Sequence, residues 1–273
     1  MVTSEQTIVD PSENSIDGAA ACLAVTNPRS KCTMVAALHE QSLVRLGRAP
    51  RVVAAGRPHK PALVHPRDLP RRQLGSPIGH AAFIHAICHI EFTAINLALD
   101  AVVRFANLPA EFYTDWIAVA AEEALHFSLL ETHLHSLGYA YGDFDAHDGL
   151  WDMAERTGDD VLRRMALVPR VMEARGLDVT PRMIVRLRAI EDEDGARILE
   201  RILNDEVEHV RIGSRWFTYA CNQRELDPAS TFQEIVGAEF GAIRSSSLNR
   251  GARLAAGFSS AELDSLSKST DNR

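Results

Sequence analysis

The chain is poor in cysteine, and none of it is paired for chemistry. Cys22, Cys32, Cys88 and Cys221 lie far apart, and no two form Cys-x-x-Cys. That spacing excludes a rubredoxin-type iron site and a zinc knuckle. It suits reduced thiols in a cytoplasmic protein, each serving as a small apolar side chain. Uninterrupted apolar runs fall well short of the roughly 18–20 residues that a transmembrane helix needs. The opening stretch MVTSEQTIVDPSENS lacks a basic flank and an apolar core, so no signal peptide is expected and the localisation is read as cytoplasmic. Positive charge is also in deficit. Lys and Arg number 29 against 37 Asp and Glu, a net charge of −8. A mildly acidic protein is not a general binder of nucleic acid or of membrane surfaces. No segment alternates as a strand would.

What the 273 residues do contain is helical periodicity and a 46% hydrophobic fraction, enough for a sizeable core. Residues 1–15 are polar and read as a disordered N-terminus. Residues 16–47 carry apolar positions at helical spacing, broken by a turn at Asn27-Pro28. Residues 48–77 hold six prolines and no period, so they read as an extended arm; its basic cluster is Arg67, Arg71 and Arg72. With the helices before it, this arm forms a 16–77 region. Four long helical patterns follow within 78–223. The first runs from about 78 to 107 and the second from about 109 to 137. The third, from about 152 to 175, is stopped by Gly176 and should be kinked or split at Pro169. A short helix then begins at Pro181. The acidic run EDEDG separates it from the last long helix, about 196–222. Residues 224–273 read as a helical extension and polar tail.

The second and last of these helices share one pattern. Glu123 and His126 stand three apart, as do Glu206 and His209. Residues at that spacing share a helix face. Both faces are otherwise apolar, so each aims a carboxylate and an imidazole inward. Burying such charges is costly unless a cation compensates them. Lone carboxylates lie on apolar stripes of the other two helices: Glu91 on the first and Glu173 on the third, with Glu155 as the alternative there. One Glu on each of two helices and Glu-x-x-His on each of the other two is the ligand pattern of ferritin-like di-iron and di-manganese bundles. Mixed oxygen and nitrogen donors suit iron or manganese. The expected ligands are therefore Glu91, Glu123, His126, Glu173, Glu206 and His209, converging on two iron ions, with manganese as the other metal the donors suit. The competing reading gives these acids ion pairs with arginines such as Arg164 or Arg201. Glu122 and Asp205 stand four residues before His126 and His209, at a spacing that would let them orient the rings. His85 and His89 read as flanking groups, and His133, His135 and His147 as surface or loop residues.

The stretches HAICHIEFTAINLALDAVVRF, FYTDWIAVAAEEALHFSLL, LGYAYGDFDAHDGLW, RMALVPRVMEARGLDVTP and ILERILNDEVEHVRIGSRWF resemble the bacterial ferritin-like family of unknown function DUF455. The resemblance spans roughly residues 16–260. It includes the C-terminal NRGARLAAGF, although Ser247 and Leu248 stand where that family's pattern has Pro-Phe. It implies an all-α, ferritin-like four-helix bundle with one long crossover and a carboxylate-bridged metal pair. A related ferritin-like group hydroxylates a modified adenosine in tRNA, an analogy of fold rather than of site.

The leading functional expectation is an oxygen-activating di-iron enzyme, a hydroxylase or oxidase. It would act on an unidentified small molecule or modified nucleoside and take electrons from an external donor, since the chain has no Cys-x-x-Cys module of its own. The alternative is an iron-binding ferroxidase or storage-type protein without organic substrate. A third reading is a fold relic that keeps metal only for stability. The Pro-rich arm, with Arg67, Arg71 and Arg72, is expected to pack on the bundle and either pair with acids or border an entrance.

Overall fold

The computed structural model of the chain describes residues 15–41, 52–241 and 248–268. Among these the architecture is all-α, and the single ladder contact is an isolated parallel bridge between Leu63 and Ala146. The expectation of a disordered start concerns residues outside this range, apart from Ser15, which opens a helix. Pro50 and Ser247 also lie outside it. The chain divides into two compact units, 1–61 with 91–128 and 62–90 with 129–273. Helices α3 (Pro77–Arg104) and α4 (Ala110–Ser136) contribute residues to both.

In the first unit, α1 (Ser15–Ala24) and α2 (Pro28–Glu40) form as the Asn27-Pro28 signal implies. Pro28 starts α2, where its missing N–H costs nothing, and the Asn27 side chain caps the helix by accepting from Ser30 N at 3.0 Å. Gly56 passes against the end of α1 and donates to Leu23 O at 2.7 Å. A Cβ on Gly56 would lie 2.2 Å from Ala24 O, so only glycine allows this crossing. Lys31 is wholly buried here. Its Nζ donates to Leu23 O and Gly56 O at 3.0 Å each, and to Asn96 Oδ1.

α3 is long and apolar enough to span a membrane by length and composition, contrary to the reading of its sequence as short apolar runs. However, 89% of its most apolar stretch is buried inside the protein, and the helix carries Glu91, Asn96 and Asp100 among its buried residues. It is a core helix.

The second unit departs most from the sequence reading in its middle third. α5 (Gly149–Arg156) is short, and a new helix starts at α6 (Val161–Leu167), capped by Asp160. α6 widens into a π segment (Val168–Glu173) and continues directly as α7 (Ala174–Arg188). Gly176 therefore does not end the helix, and Pro181 lies inside it rather than beginning another. Pro169 sits in the π segment, where the wider turn accommodates its ring and its missing N–H. Ala174 N closes that turn by donating to Pro169 O.

Pro181 cannot donate to Leu177 O. That carbonyl instead accepts from Asn249 Nδ2 at 3.2 Å. Arg253 donates to Ala174 O and clamps Asp178 at 2.7 Å. The NRGARLAAGF element thus supplies what an internal proline removes. It also contains the short α10 (Arg250–Ala255).

α8 (Glu193–Asn222) begins inside the acidic run rather than after it. Asp192 is its cap, and Glu193 and Asp194 complement the positive helix start. Gly213 of α8 packs on Pro169; a Cβ there would lie 2.4 Å from the proline ring. Helices α9 (Pro228–Phe240) and α11 (Ser260–Lys268) complete the unit.

Candidate metal centre

The first unit gathers three of the expected ligands. Glu91 comes from α3, and Glu123 and His126 from α4. Nδ1 of His126 lies 3.3 Å from Glu91 Oε2 and 3.4 Å from Glu123 Oε2. All three are in the core, at 4%, 1% and 0% exposure. Their ligand atoms fall within 4.8 Å of one another, close enough to hold one metal ion. Phe92 and Phe127 pack together beside them, with ring centroids 5.6 Å apart. Glu122, read as a residue at a spacing to orient the His126 ring, is exposed.

The electrostatics of this cluster follow from its burial. Burial first, and then the adjacent Glu123 carboxylate, push the Glu91 carboxyl well above the usual carboxylate range. Burial alone would lower the His126 imidazole, but hydrogen bonds to Glu123 and Glu91 and their charges outweigh it and raise the group to about 11. The cluster therefore holds a proton tightly where a cation could take its place. The donor set of two carboxylate oxygens and one imidazole nitrogen fits a divalent iron or manganese ion.

The second unit carries the other three. Glu206 Oε1 lies 3.6 Å from Nδ1 of His209, the same atom and spacing as in the first pair. His209 is fully buried and the Glu206 side chain largely so. Glu208 turns away to pair with Arg211 at 2.7 Å. Glu173 is half-buried at the end of the π segment, within the continuous α6–α7 run and not near a helix end as its sequence suggested. Glu155 is exposed and accepts from Trp151 Nε1 at 2.9 Å. Of the arginines weighed as partners, Arg164 donates to Thr157 Oγ1 at 2.9 Å and Arg201 to Asp205 at 2.9 Å. Asp205 thus has a partner other than the ring it was expected to orient.

His85 and His89 fix the loop between α4 and α5. His85 Nε2 accepts from Gly142 N at 2.9 Å, and its ring stacks on Tyr141. Burial lowers His85 to about 4, against the pull of Asp143 and Asp145, so the ring is neutral and its Nε2 is an acceptor. His89 Nδ1 meets Tyr141 Oη at 2.9 Å. The arm joins this loop through Val64 N to Ala146 O at 2.8 Å, and Arg72 lies over the Phe144 ring at 5.1 Å. Asp143 and His147 make turn bonds, to Ala140 N and Gly149 N.

Sequence reasoning missed two buried features. Arg170, 2% exposed, lies 4.6, 4.3 and 4.5 Å from the ring centroids of Phe217, Phe232 and Phe258 and pairs with Glu262 at 2.7 Å. His133, read as a surface residue, is buried against Asp192. No signal short of the fold identifies either. The four cysteines form no disulfide, and three of them are buried.

The family described as protein of unknown function, DUF455, matches residues 24–264. An uncharacterized protein of Haemophilus influenzae (strain ATCC 51907 / DSM 11121 / KW20 / Rd) is 44% identical over 258 residues, covering 89% of this chain and 90% of that protein. No solved structure matches.

Proposed function

The chain belongs to the DUF455 family of proteins of unknown function, and from that premise we propose that it is a ferritin-like di-metal carboxylate protein, an oxygen-activating hydroxylase or oxidase. Glu91, Glu123 and His126 hold one metal, and Glu173, Glu206 and His209 the other. Helices α3, α4, α6–α7 and α8 are the four members of the proposed bundle, and the 138–151 segment, whose last three residues open α5, is its crossover. The observation that carries the reading is the repeated pair: in both Glu-x-x-His motifs the carboxylate faces Nδ1 of the buried histidine, at 3.4 and 3.6 Å. Iron is the metal the reading favours, with manganese as the alternative.

Bound iron would supply the reduction of dioxygen and the oxidation of a substrate C–H bond. The chain's own contribution is position and environment. The carboxylates would neutralise the metal charge, and the buried imidazoles of His126 and His209 would supply its nitrogen donors. The apolar wall that includes Phe92 and Phe127 keeps bulk water from the ligands of the first unit. Electrons come from an external donor. The substrate is a small molecule or a modified nucleoside, in analogy with the ferritin-like tRNA hydroxylases.

The test is anaerobic purification with metal analysis, then exposure to oxygen under optical spectroscopy. Two iron equivalents per chain, falling toward one in His126→Ala or His209→Ala, support the reading. Two tightly held equivalents retained in both variants would refute it. Comparison of metabolites and tRNA nucleosides from a deletion strain then separates an oxygenase from a ferroxidase or storage protein, which would leave every organic product unchanged.

A further inference from the structure

A second constellation, independent of the one above, lies wholly in the second unit. His80 stands in the first turn of α3, His133 in the last turn of α4, and Asp192 caps α8. Nε2 of His80 is 2.6 Å from Asp192 Oδ2, and Nε2 of His133 is 2.9 Å from the same oxygen. The three side chains are 15%, 8% and 6% exposed, so they are sheltered but reachable from solvent.

Two features distinguish this cluster from a chance hydrogen-bonded surface group. First, both imidazoles direct the same ring nitrogen at one carboxylate oxygen, which is the convergence a metal ion requires. The other carboxylate oxygen, Oδ1, is fixed by Gly195 N at 2.8 Å. That bond orients the ligand in the way that partners outside the metal's own shell orient ligating groups. Gly195 leaves the space: a Cβ there would lie 2.3 Å from Asp192 Oδ2 and 3.0 Å from His133 Nε2. Second, His133 also lines a surface cavity of about 450 Å³, with Thr132, Ser136, Asp194 and Arg197 among its walls. A metal held by three protein ligands keeps a further position for water or substrate, and His133 is the ligand that borders this cavity.

We propose that His80, His133 and Asp192 form a mononuclear site for a divalent transition metal of the zinc class, with an open coordination position toward that cavity. Two neutral imidazoles and one carboxylate form a donor set that zinc and ferrous iron both accept. Tetrahedral bonds of about 2.0–2.1 Å place ligand atoms about 3.3 Å apart. The two N···O distances of 2.6 and 2.9 Å must therefore lengthen by under about 1 Å, and the two ring nitrogens already lie within 4.8 Å of each other. The metal would tie together the ends of three helices. It would also present a polarised water at the cavity, as three-ligand zinc sites do.

The experiment uses the full chain stripped of metal, in a background carrying Glu123→Gln, His126→Asn, Glu206→Gln and His209→Asn so that neither Glu-x-x-His pair contributes. Cobalt(II) is titrated as the spectroscopic probe and zinc as its competitor. One equivalent of cobalt should bind with visible ligand-field bands, and zinc should displace it. His80→Gln or His133→Gln should weaken binding at least about 100-fold. Asp192→Asn, which keeps an N-cap of similar quality, should weaken it at least about tenfold. His135→Gln, the control, should leave it unchanged. Circular dichroism confirms that each variant stays helical. Equal cobalt affinity in all variants would overturn the proposal. So would the absence of binding in that fourfold background, because the metal would then belong to the Glu-x-x-His ligands.

Discussion

Two buried charge clusters in this protein are solved in opposite ways. Around Arg170 the chain buries a cation and supplies its own compensation: Glu262 at 2.7 Å, Ser214 Oγ at 3.2 Å and three aromatic rings. A guanidinium within about 6 Å of a ring face is attracted to it, more strongly when desolvated. Around His126 the chain buries two carboxylates with a single imidazole between them. One imidazolium balances one carboxylate, and burial beside Glu123 pushes the Glu91 carboxyl up. A charge balanced from within the chain is architecture. An ionisable cluster strained by its own burial is where a binding site is sought. On this comparison the Arg170 box holds the π segment in place, while the Glu91–Glu123–His126 cluster is the place for the proposed metal.

The sharpest way to break this contrast is to remove the cation. Arg170→Ala leaves Glu262 buried without its partner and should cost about 3–5 kcal/mol in urea unfolding. Replacing both residues, as Arg170→Met with Glu262→Gln, which keeps an acceptor for Ser259 N at 2.7 Å at the start of α11, should restore most of that loss. If the double variant is no better than the single, the box is not a self-balanced pair.

Next comes the anionic side. Metal at a hundred times its dissociation constant should stabilise the wild type by about 2.7 kcal/mol. In Glu91→Gln the share of the metal-dependent gain that comes from this site should vanish, leaving only that of the Glu173–Glu206–His209 metal, while the metal-free protein should be as stable as wild type or slightly more so. Thermal unfolding with and without ferrous or manganous ion checks both halves. A Glu91→Gln variant that is strongly destabilised without metal would show that Glu91 is structural.

A smaller effect tests the packing of the π segment itself. Gly213→Ala drives a methyl against Pro169 and should cost about 1–3 kcal/mol. A neutral result would mean that α8 and the π segment are free to shift apart.

An effect of comparable size, spread over about two pH units, concerns a third buried charge, Lys31. Burial pushes its ammonium down to about 7, against about 10.4 in an unfolded chain. Below pH 7 both states carry the proton and the burial penalty is fully present. Between these values the unfolded chain binds a proton that the folded chain lacks, so stability rises with pH. The slope from this group is at most about 1.4 kcal/mol per pH unit. It should disappear in Lys31→Met, as followed by urea unfolding between pH 7 and 9. An unchanged slope in that variant would assign the effect to other groups.

Much of the pattern was legible in the chain itself. Glu123 and His126, or Glu206 and His209, can share a face only on a helix, and an otherwise apolar face can only turn inward. Asn27-Pro28 fixed a helix start through one side-chain oxygen and one constrained φ. The run beginning at Asp192 carried a cap and two acids suited to a helix start, so α8 could have been placed three residues earlier. Other features were not legible because their causes lie far away in sequence. Gly176 looked like a stop and Pro181 like a new start, but the apolar stripe of Leu177, Ile184 and Leu187 holds α7 together, and Asn249 supplies the donor that Pro181 lacks.

The sequence by itself determined what is periodic and local: the helices, most of their caps, and the four residues of the two Glu-x-x-His pairs, because a helix imposes its spacing within a few residues. Only the tertiary structure decided where a proline could be tolerated, which arginine could be buried, and that His80, His133 and Asp192 would meet. Each of those depends on a partner 44 to 112 residues distant in the chain, and no local pattern encodes a meeting of that kind.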